Sequence, residues 1–304
     1  MSKRVLITGA AGFTGKYMCD YLAGLKQQII TIGVDVVDRD AIKCESFYRM
    51  DLLCADDVAN LIEQTKPDYI IHLAGTFGTK DSQEIYRVNV LSMSALLEAA
   101  HEFVPNVVIV ATGSAAEYGR VEPHQLPIDE QTICQPVTPY GLSKNLATQI
   151  AMYYHRVHDI CVIIVRPFQL IGKGVTSRLA PGAFAQQLQK TIKEGSDVIK
   201  VGNLESSRDF LDIHDVVEAI WTLCEKPAAG QIFNLCSGQP TKIADLLQTM
   251  IDCSGAKVRI EIDPGRLRGK ADVSRVYGSY QKIKQYCGWQ PKNSLSQSIR
   301  EMFK

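Results

Sequence analysis

The sequence predicts an α/β fold: a doubly wound parallel sheet with a smaller, mixed α/β lobe attached. Three observations predict it. Short runs of Val, Ile and Leu alternate with longer stretches of helical period through the first two-thirds of the chain. A glycine cluster falls between the first such run and the first helical stretch. After Arg166 the alternation gives way to sequence punctuated by Pro and Gly.

Residues 5–8, 29–35, 69–73, 107–111 and 161–166 are apolar without polar alternation, as strands buried on both faces of a parallel sheet must be. Residues 16–25, 55–64, 85–102 and 140–158 read as helices between them, and a short third strand is expected just before Asp51-Leu52. Strand and helix in strict alternation is the pattern of a doubly wound sheet. Past Arg166, the breakers Pro167, Gly172, Gly174, Pro181 and Gly182 mark a loop-rich stretch. A helix near 184–194, a strand at 231–235 and a helix near 243–253 follow. The expected division is a large unit of residues 1–168, to which about 206–235 return, and a smaller lobe of 169–205 and 236–304.

Bulk composition narrows the function classes. With 33 basic and 33 acidic residues among 304, the formal charge is zero, which gives no electrostatic footprint for nucleic acid or an anionic membrane. Nine cysteines are scattered without a C-x-x-C pair, which predicts buried free thiols in a reducing compartment rather than a metal centre or disulfide framework. No apolar run approaches the roughly 18 residues of a membrane span, and the start Met1-Ser2-Lys3-Arg4 precedes too short an apolar stretch for a signal peptide. A cytoplasmic protein is expected.

The glycine cluster reads Thr8-Gly9-Ala10-Ala11-Gly12-Phe13-Thr14-Gly15. Gly9 permits the tight turn, Gly12 lets backbone amides approach a pyrophosphate, and Gly15 allows the helix to pack on the strand. The helix start supplies partial positive charge. A glycine triplet alone is weak evidence. A strand before it, a helix after it and an acid closing the next strand make it a dinucleotide-binding signature of Rossmann type. That acid is Asp35; its carboxylate would accept hydrogen bonds from the adenosine ribose and repel a 2′-phosphate, so NAD is the expected cofactor. Arg39 stands close enough in sequence to accept that phosphate, which leaves NADP open.

Tyr140-Gly141-Leu142-Ser143-Lys144 places a phenol and an ammonium on one helical face. A lysine beside a phenol stabilises phenolate and would lower its pKa. Together with the glycine loop and the strand end Ala111-Thr112-Gly113-Ser114, this element resembles the extended short-chain dehydrogenase/reductase family. The resemblance covers essentially the whole chain. It implies catalysis by Ser114, Tyr140 and Lys144, with Ser114 four residues before the Tyr118-Gly119 pair. It also implies a cofactor site that adds Phe13, Thr14, Asp51, Leu52, Leu73, Ala74, Gly75, Asn89 and Pro167 to the glycines and Asp35. A homodimer built through helices near 89–102 and 140–157 is implied as well.

Within that family, Lys200-Val201-Gly202-Asn203, Arg208-Asp209-Phe210-Leu211-Asp212, Asn234-Leu235-Cys236-Ser237-Gly238 and Gly288-Trp289-Gln290-Pro291 resemble the branch that reduces GDP-4-keto-6-deoxy-mannose. That branch implies substrate contacts from Ser114, Gln169, Lys200, Arg208 and Arg268, with Arg208 gripping the nucleotide diphosphate through its guanidinium fork. A plain pairing of Arg208 with Asp209 or Asp212 is the alternative. The family's 4,6-dehydratases carry an acid two residues before the tyrosine of the Tyr-Gly pair, where this chain has Ala116 beside Ala115. Glu117 is adjacent, but on an extended segment it would point to the opposite face. The expected function is therefore NAD(P)H-dependent reduction of a nucleotide-linked, GDP-type 4-keto-6-deoxyhexose. The alternative is a 4-epimerase that retains its NAD.

Overall fold

A computed structural model of the protein describes residues 2–38, 42–79, 81–195, 197–266 and 274–304. The chain opens with β1 (Lys3–Thr8), α1 (Phe13–Ala23), β2 (Ile29–Asp35), β3 (Ser46–Arg49), α2 (Ala55–Thr65), β4 (Tyr69–His72), α3 (Ser82–Tyr86) and α4 (Ser92–Phe103). It continues through β5 (Val108–Thr112), α5 (Pro139–His158), β6 (Cys161–Pro167), β7 (Gln169–Ile171), α6 (Ala180–Glu194), β8 (Val198–Val201), β9 (Ser207–Asp212) and α7 (Ile213–Glu225). Last come β10 (Ile232–Leu235), β11 (Pro240–Lys242), α8 (Ile243–Ser254), β12 (Arg259–Ile262), β13 (Arg275–Val276), α9 (Gln281–Cys287) and α10 (Leu295–Met302).

Seven strands form one sheet in the order β10-β6-β5-β4-β1-β2-β3, every neighbouring pair parallel. The strand order reverses at β1, because β2 lies to one side of it and β4 to the other. A crevice opens at the carboxyl ends of strands at such a reversal, and ligands bind there. Strand side chains alternate between two covered faces. Val5, Ile7, Ile71, Val110 and Ile163 pack with α1 and α7 on one face. Leu6, Ile70, Ile109, Val162 and Ile164 pack with α2, α4 and α5 on the other. Both sets are fully buried, which is why these strands show no polar alternation in sequence.

One expected element differs. A single helix over 85–102 is interrupted by a π-helical turn at Arg87–Leu91 between α3 and α4. The widened turn carries buried Asn89 inward, where Oδ1 accepts from Thr76 N (2.7 Å) and Nδ2 donates to Thr76 O (3.0 Å) and Ser143 Oγ (2.8 Å). Those three bonds satisfy a polar side chain that a regular helical turn would leave elsewhere.

The smaller lobe begins one residue after β6, where β7 pairs in parallel with β9, and β9 pairs with β11 and β13. β8 and β12 form a separate ribbon. A second core of Ile171, Phe184, Leu188, Phe210, Leu246 and Ile299 joins this sheet to α6, α8 and α10. In the stretch 206–235, β9 belongs to the smaller sheet, whereas α7 packs on the large sheet and β10 completes its edge. None of the nine cysteines, all among the described residues, is in a disulfide; four are buried and Cys54 is exposed. No helix among the described residues is long and apolar enough to cross a membrane.

Candidate active site

The glycine loop follows β1 as a tight cradle. Gly9 adopts φ +69°, and a Cβ there would lie 2.8 Å from Ala74 N, so only glycine fits. A Cβ on Gly15 would fall 2.2 Å from Gly9 O, which is how closely α1 approaches the loop. α1 is capped by Gly12 with no side-chain hydrogen bond and has no acid in its first turn. Its leading N–H groups and positive dipole end are thus presented to a bound anion. Asp35 fastens the loop from the end of β2: Oδ2 accepts from Ala11 N at 2.9 Å and Oδ1 from Val37 N at 3.3 Å. These residues fit the pyrophosphate of a dinucleotide.

Beyond the loop, Ser114 ends the segment after β5 and starts a 3₁₀ turn, Ala115–Glu117. Its Oγ accepts from Ala116 N (3.1 Å), and Glu117 Oε1 accepts from Ser114 N (2.8 Å), a reciprocal capping box. Thr138 Oγ1 caps α5 by accepting from Gly141 N at 3.0 Å. A Cβ on Gly141 would sit 2.4 Å from Ala116 O. The start of α5 therefore rests directly on the Ser114 turn, which brings the Ser114 hydroxyl close to the Tyr140 phenol. One helical turn on, Lys144 is buried and its Nζ donates to Thr112 O at 2.7 Å.

The electrostatics correct one expectation. Burial pushes the Tyr140 phenol up, the nearby Ser114 hydroxyl works against that, and the Glu117 charge adds to it. At rest the Lys144 ammonium donates to the Thr112 carbonyl, and burial outweighs every influence that would lower the phenol. Tyr140 is consequently held as the neutral acid. Burial also drives Lys144 down to about 8, with Glu117 opposing.

Glu117 itself is fully buried and gripped by Arg166, Nε at 3.0 Å and Nη2 at 2.9 Å, both to Oε2. The segment is a 3₁₀ turn and not extended, so the sequence argument about opposite faces does not apply. The Arg166 pairing is what keeps the carboxylate from the cleft.

A cleft of about 380 Å³ is lined by Gly9, Gly12, Phe13, Thr14, Gly15, Leu73, Gly75, Ser114, Tyr140, Lys144, Pro167 and Gln169, all predicted site residues. Asp35 reaches it through the glycine loop. Other predicted residues lie outside its lining: Leu52 packs in the core beside Val34 and Val58, and the exposed Asp51 accepts from Leu53 N at 3.0 Å. Ala74 backs Gly9, and Asn89 braces Thr76 and Ser143 behind the site. A second cleft of about 350 Å³ joins the first at Gln169, Arg178 and Leu179 and is lined further on by Arg208 and Arg266. Asp209 and Asp212 are occupied elsewhere, Asp209 by Ser237, Gly238 and Gly278, Asp212 by His214 and Ser298. Lys200 is exposed on β8, its backbone bonded to the Gln187 side chain, and lines neither cleft. Arg268 and Arg39 lie outside the described residues. Sequence reasoning missed Phe77 and Arg178; an aromatic two residues past Gly75 and a cation inside the Gly/Pro-rich loop were the available signals.

Residues 5–236 match the NAD dependent epimerase/dehydratase family. The chain is 32% identical to the GDP-6-deoxy-D-mannose reductase of Pseudomonas aeruginosa, over 99% of this chain and 96% of that protein. It is 27% identical to the GDP-6-deoxy-D-talose 4-dehydrogenase of Aggregatibacter actinomycetemcomitans, over 99% and 97%. The solved structure of RMD from Pseudomonas aeruginosa complexed with NADPH superposes with a TM-score of 0.87 at 30% identity, covering 99% of this chain and 97% of that one.

Proposed function

The chain belongs to the NAD dependent epimerase/dehydratase family, and from that premise we propose that it reduces a nucleotide-linked 4-keto-6-deoxyhexose, with GDP as the nucleotide, to the 6-deoxyhexose. The observation that carries this reading is the burial of Glu117 under Arg166 beside Ala115 and Ala116. A dehydratase needs a titrating acid at that point of the cleft to expel water. Ser114, Tyr140 and Lys144 supply hydrogen bonding and one proton, which is what ketone reduction asks of a protein.

When bound, the reduced nicotinamide supplies a hydride to the ketone carbon. The first turn of α1 holds the dinucleotide's pyrophosphate. Ser114 donates to the ketone oxygen and polarises it. Tyr140, kept protonated by burial, delivers its proton to the same oxygen as negative charge develops there. Lys144, charged below about pH 8, stabilises the phenolate that remains. Arg208 in the second cleft takes the nucleotide diphosphate. Exposed Leu142, Leu146, Tyr153 and Val157 along α5 support pairing of two copies through that helix.

A second reading, 4-epimerisation with NAD retained, is favoured by Asp35, whose carboxylate suits an unphosphorylated ribose. One assay decides between them. The enzyme is offered GDP-4-keto-6-deoxy-mannose and UDP-glucose in turn, with NADH or NADPH, and cofactor absorbance and products are followed. Stoichiometric loss of reduced cofactor with the ketosugar is expected. Interconversion of UDP-glucose and UDP-galactose without net cofactor change would overturn the reductase reading.

A further inference from the structure

We propose that Arg178 is a substrate-binding residue that takes the sugar-proximal phosphate of a nucleoside-diphosphate sugar; this rests on the nucleotide-sugar reading above. The place of the side chain is the first reason. Arg178 lines both clefts, at the point where the one holding Ser114 and Tyr140 opens into the one holding Arg208. A sugar whose ring carbon faces Tyr140, with its nucleotide in the second cleft, carries its phosphates across this junction.

The second reason is how the guanidinium is held. Nη1 donates to Phe77 O at 2.8 Å, and the Phe77 ring stands 5.9 Å from the Tyr140 ring. Gly78 is at φ +74°, and a Cβ there would come within 3.2 Å of Arg178 Cδ. The loop after β4 is thus shaped to let the arginine stem cross it. That single anchor fixes the head group beside the reacting end of the cleft.

The third reason is what the head group has left to give. A guanidinium carries five N–H donors, and one of Arg178's is committed to a protein acceptor among the described residues. Among those residues it pairs with no carboxylate, whereas Arg266, which also lines the second cleft, is tied to Asp263 at 3.3 Å. Arg178 is also exposed, so it trades water for phosphate without breaking an ion pair. Phosphate oxygens suit the remaining fork of donors, and a desolvated contact of that kind is stronger than a neutral hydrogen bond.

Calorimetric titration of the enzyme saturated with NAD or NADP tests the assignment without turnover. GDP, UDP, GMP and UMP are titrated into wild type, Arg178→Gln and Arg178→Lys. Arg178→Gln is expected to weaken diphosphate binding by about 10- to 100-fold, the usual worth of a charged hydrogen-bonding group, with the monophosphates and the dinucleotide unaffected. Arg178→Lys should fall between. Unchanged diphosphate affinity, equal losses for mono- and diphosphates, or a loss of dinucleotide affinity instead would each overturn the proposal. If wild type binds no nucleoside diphosphate, this proposal and the nucleotide-sugar reading fall together; if it binds and the variants do not differ, only this proposal falls.

Discussion

Arg166 holds Glu117 through two nitrogens on one oxygen, Oε2, leaving Oε1 to accept from the backbone N–H of Ser114. The same guanidinium lies 4.7 Å from the centre of the Tyr118 ring, whose hydroxyl donates to Asn234 Oδ1 at 2.7 Å. A side chain at the end of β6 therefore fixes the backbone that carries the Ser114 hydroxyl, and ties it to β10.

Removing one partner of this buried pair leaves an uncompensated charge. Glu117→Gln should cost about 3–5 kcal/mol of stability, the range for breaking a buried ion pair. Urea unfolding measures it. A loss within 1 kcal/mol would mean that water or another acceptor reaches Arg166.

Tyr140→Phe removes the proposed proton donor while leaving the ring in place. Turnover should fall by about 10²–10⁴-fold, the usual contribution of general acid catalysis, with dinucleotide affinity nearly unchanged. Activity above half of wild type would show that another group supplies the proton.

Gly141→Ala tests the contact between α5 and the Ser114 turn. The added methyl would meet Ala116 O at 2.4 Å, so the helix start and the turn must separate. A displacement of the Tyr140 phenol from Ser114 should lower kcat by about 10²-fold, as misplacement of catalytic groups does, while circular dichroism stays that of the wild type. Unaltered kcat would mean that the two segments shift together.

Much of this site is local in the chain and can be read from it. The glycine loop spans eight positions, and Tyr140 and Lys144 are one helical turn apart, so period and spacing expose both. The braces around them are not local. Glu117 and Arg166 are separated by 49 positions, Asn89 and Ser143 by 54, Phe77 and Arg178 by 101. No local pattern announces such pairs, because the sheet order brings them together. The strands were legible for the opposite reason: burial on both faces makes each an unbroken apolar run. The π turn was not, since one extra residue in a helix leaves the apolar period almost intact.

The pH dependence follows from Lys144. Its folded-state value, about 8, lies below the ordinary lysine value of 10.5 because burial disfavours the ammonium. Folding is penalised in full below about pH 8, and the penalty fades as pH rises toward 10.5, where both states are neutral. Lys144→Met should thus stabilise the protein at pH 7 and change little at pH 11, as read by unfolding at the two values. In catalysis, kcat/KM for reduction should decline above about pH 8 as the ammonium that supports the phenolate is lost. A flat profile to pH 10 would count against that role.

Cofactor choice should follow Asp35. NADH should outperform NADPH, and Asp35→Ala should narrow the ratio by removing a negative charge at the end of β2 that would repel a 2′-phosphate. Because Asp35 also accepts from Ala11 N, the variant should bind both cofactors less tightly. A wild-type preference for NADPH, measured as kcat/KM, would place the discrimination on a basic residue instead.

The edge position of β10 bears on how the chain could be cut. A fragment ending after β6 would keep the glycine loop, Ser114, Tyr140 and Lys144, yet lose both the strand that pairs with β6 and the helix α7 that covers that face. Val162, Ile163, Ile164 and Val165, all at 0% exposure in the intact protein, would become a bare apolar strand edge. Such edges recruit other chains. The proposed catalytic residues thus all lie before β6, but the cover that keeps β6 soluble is encoded in α7 and β10, and evolution could not have detached this half as a free-standing module without supplying a new cover for β6.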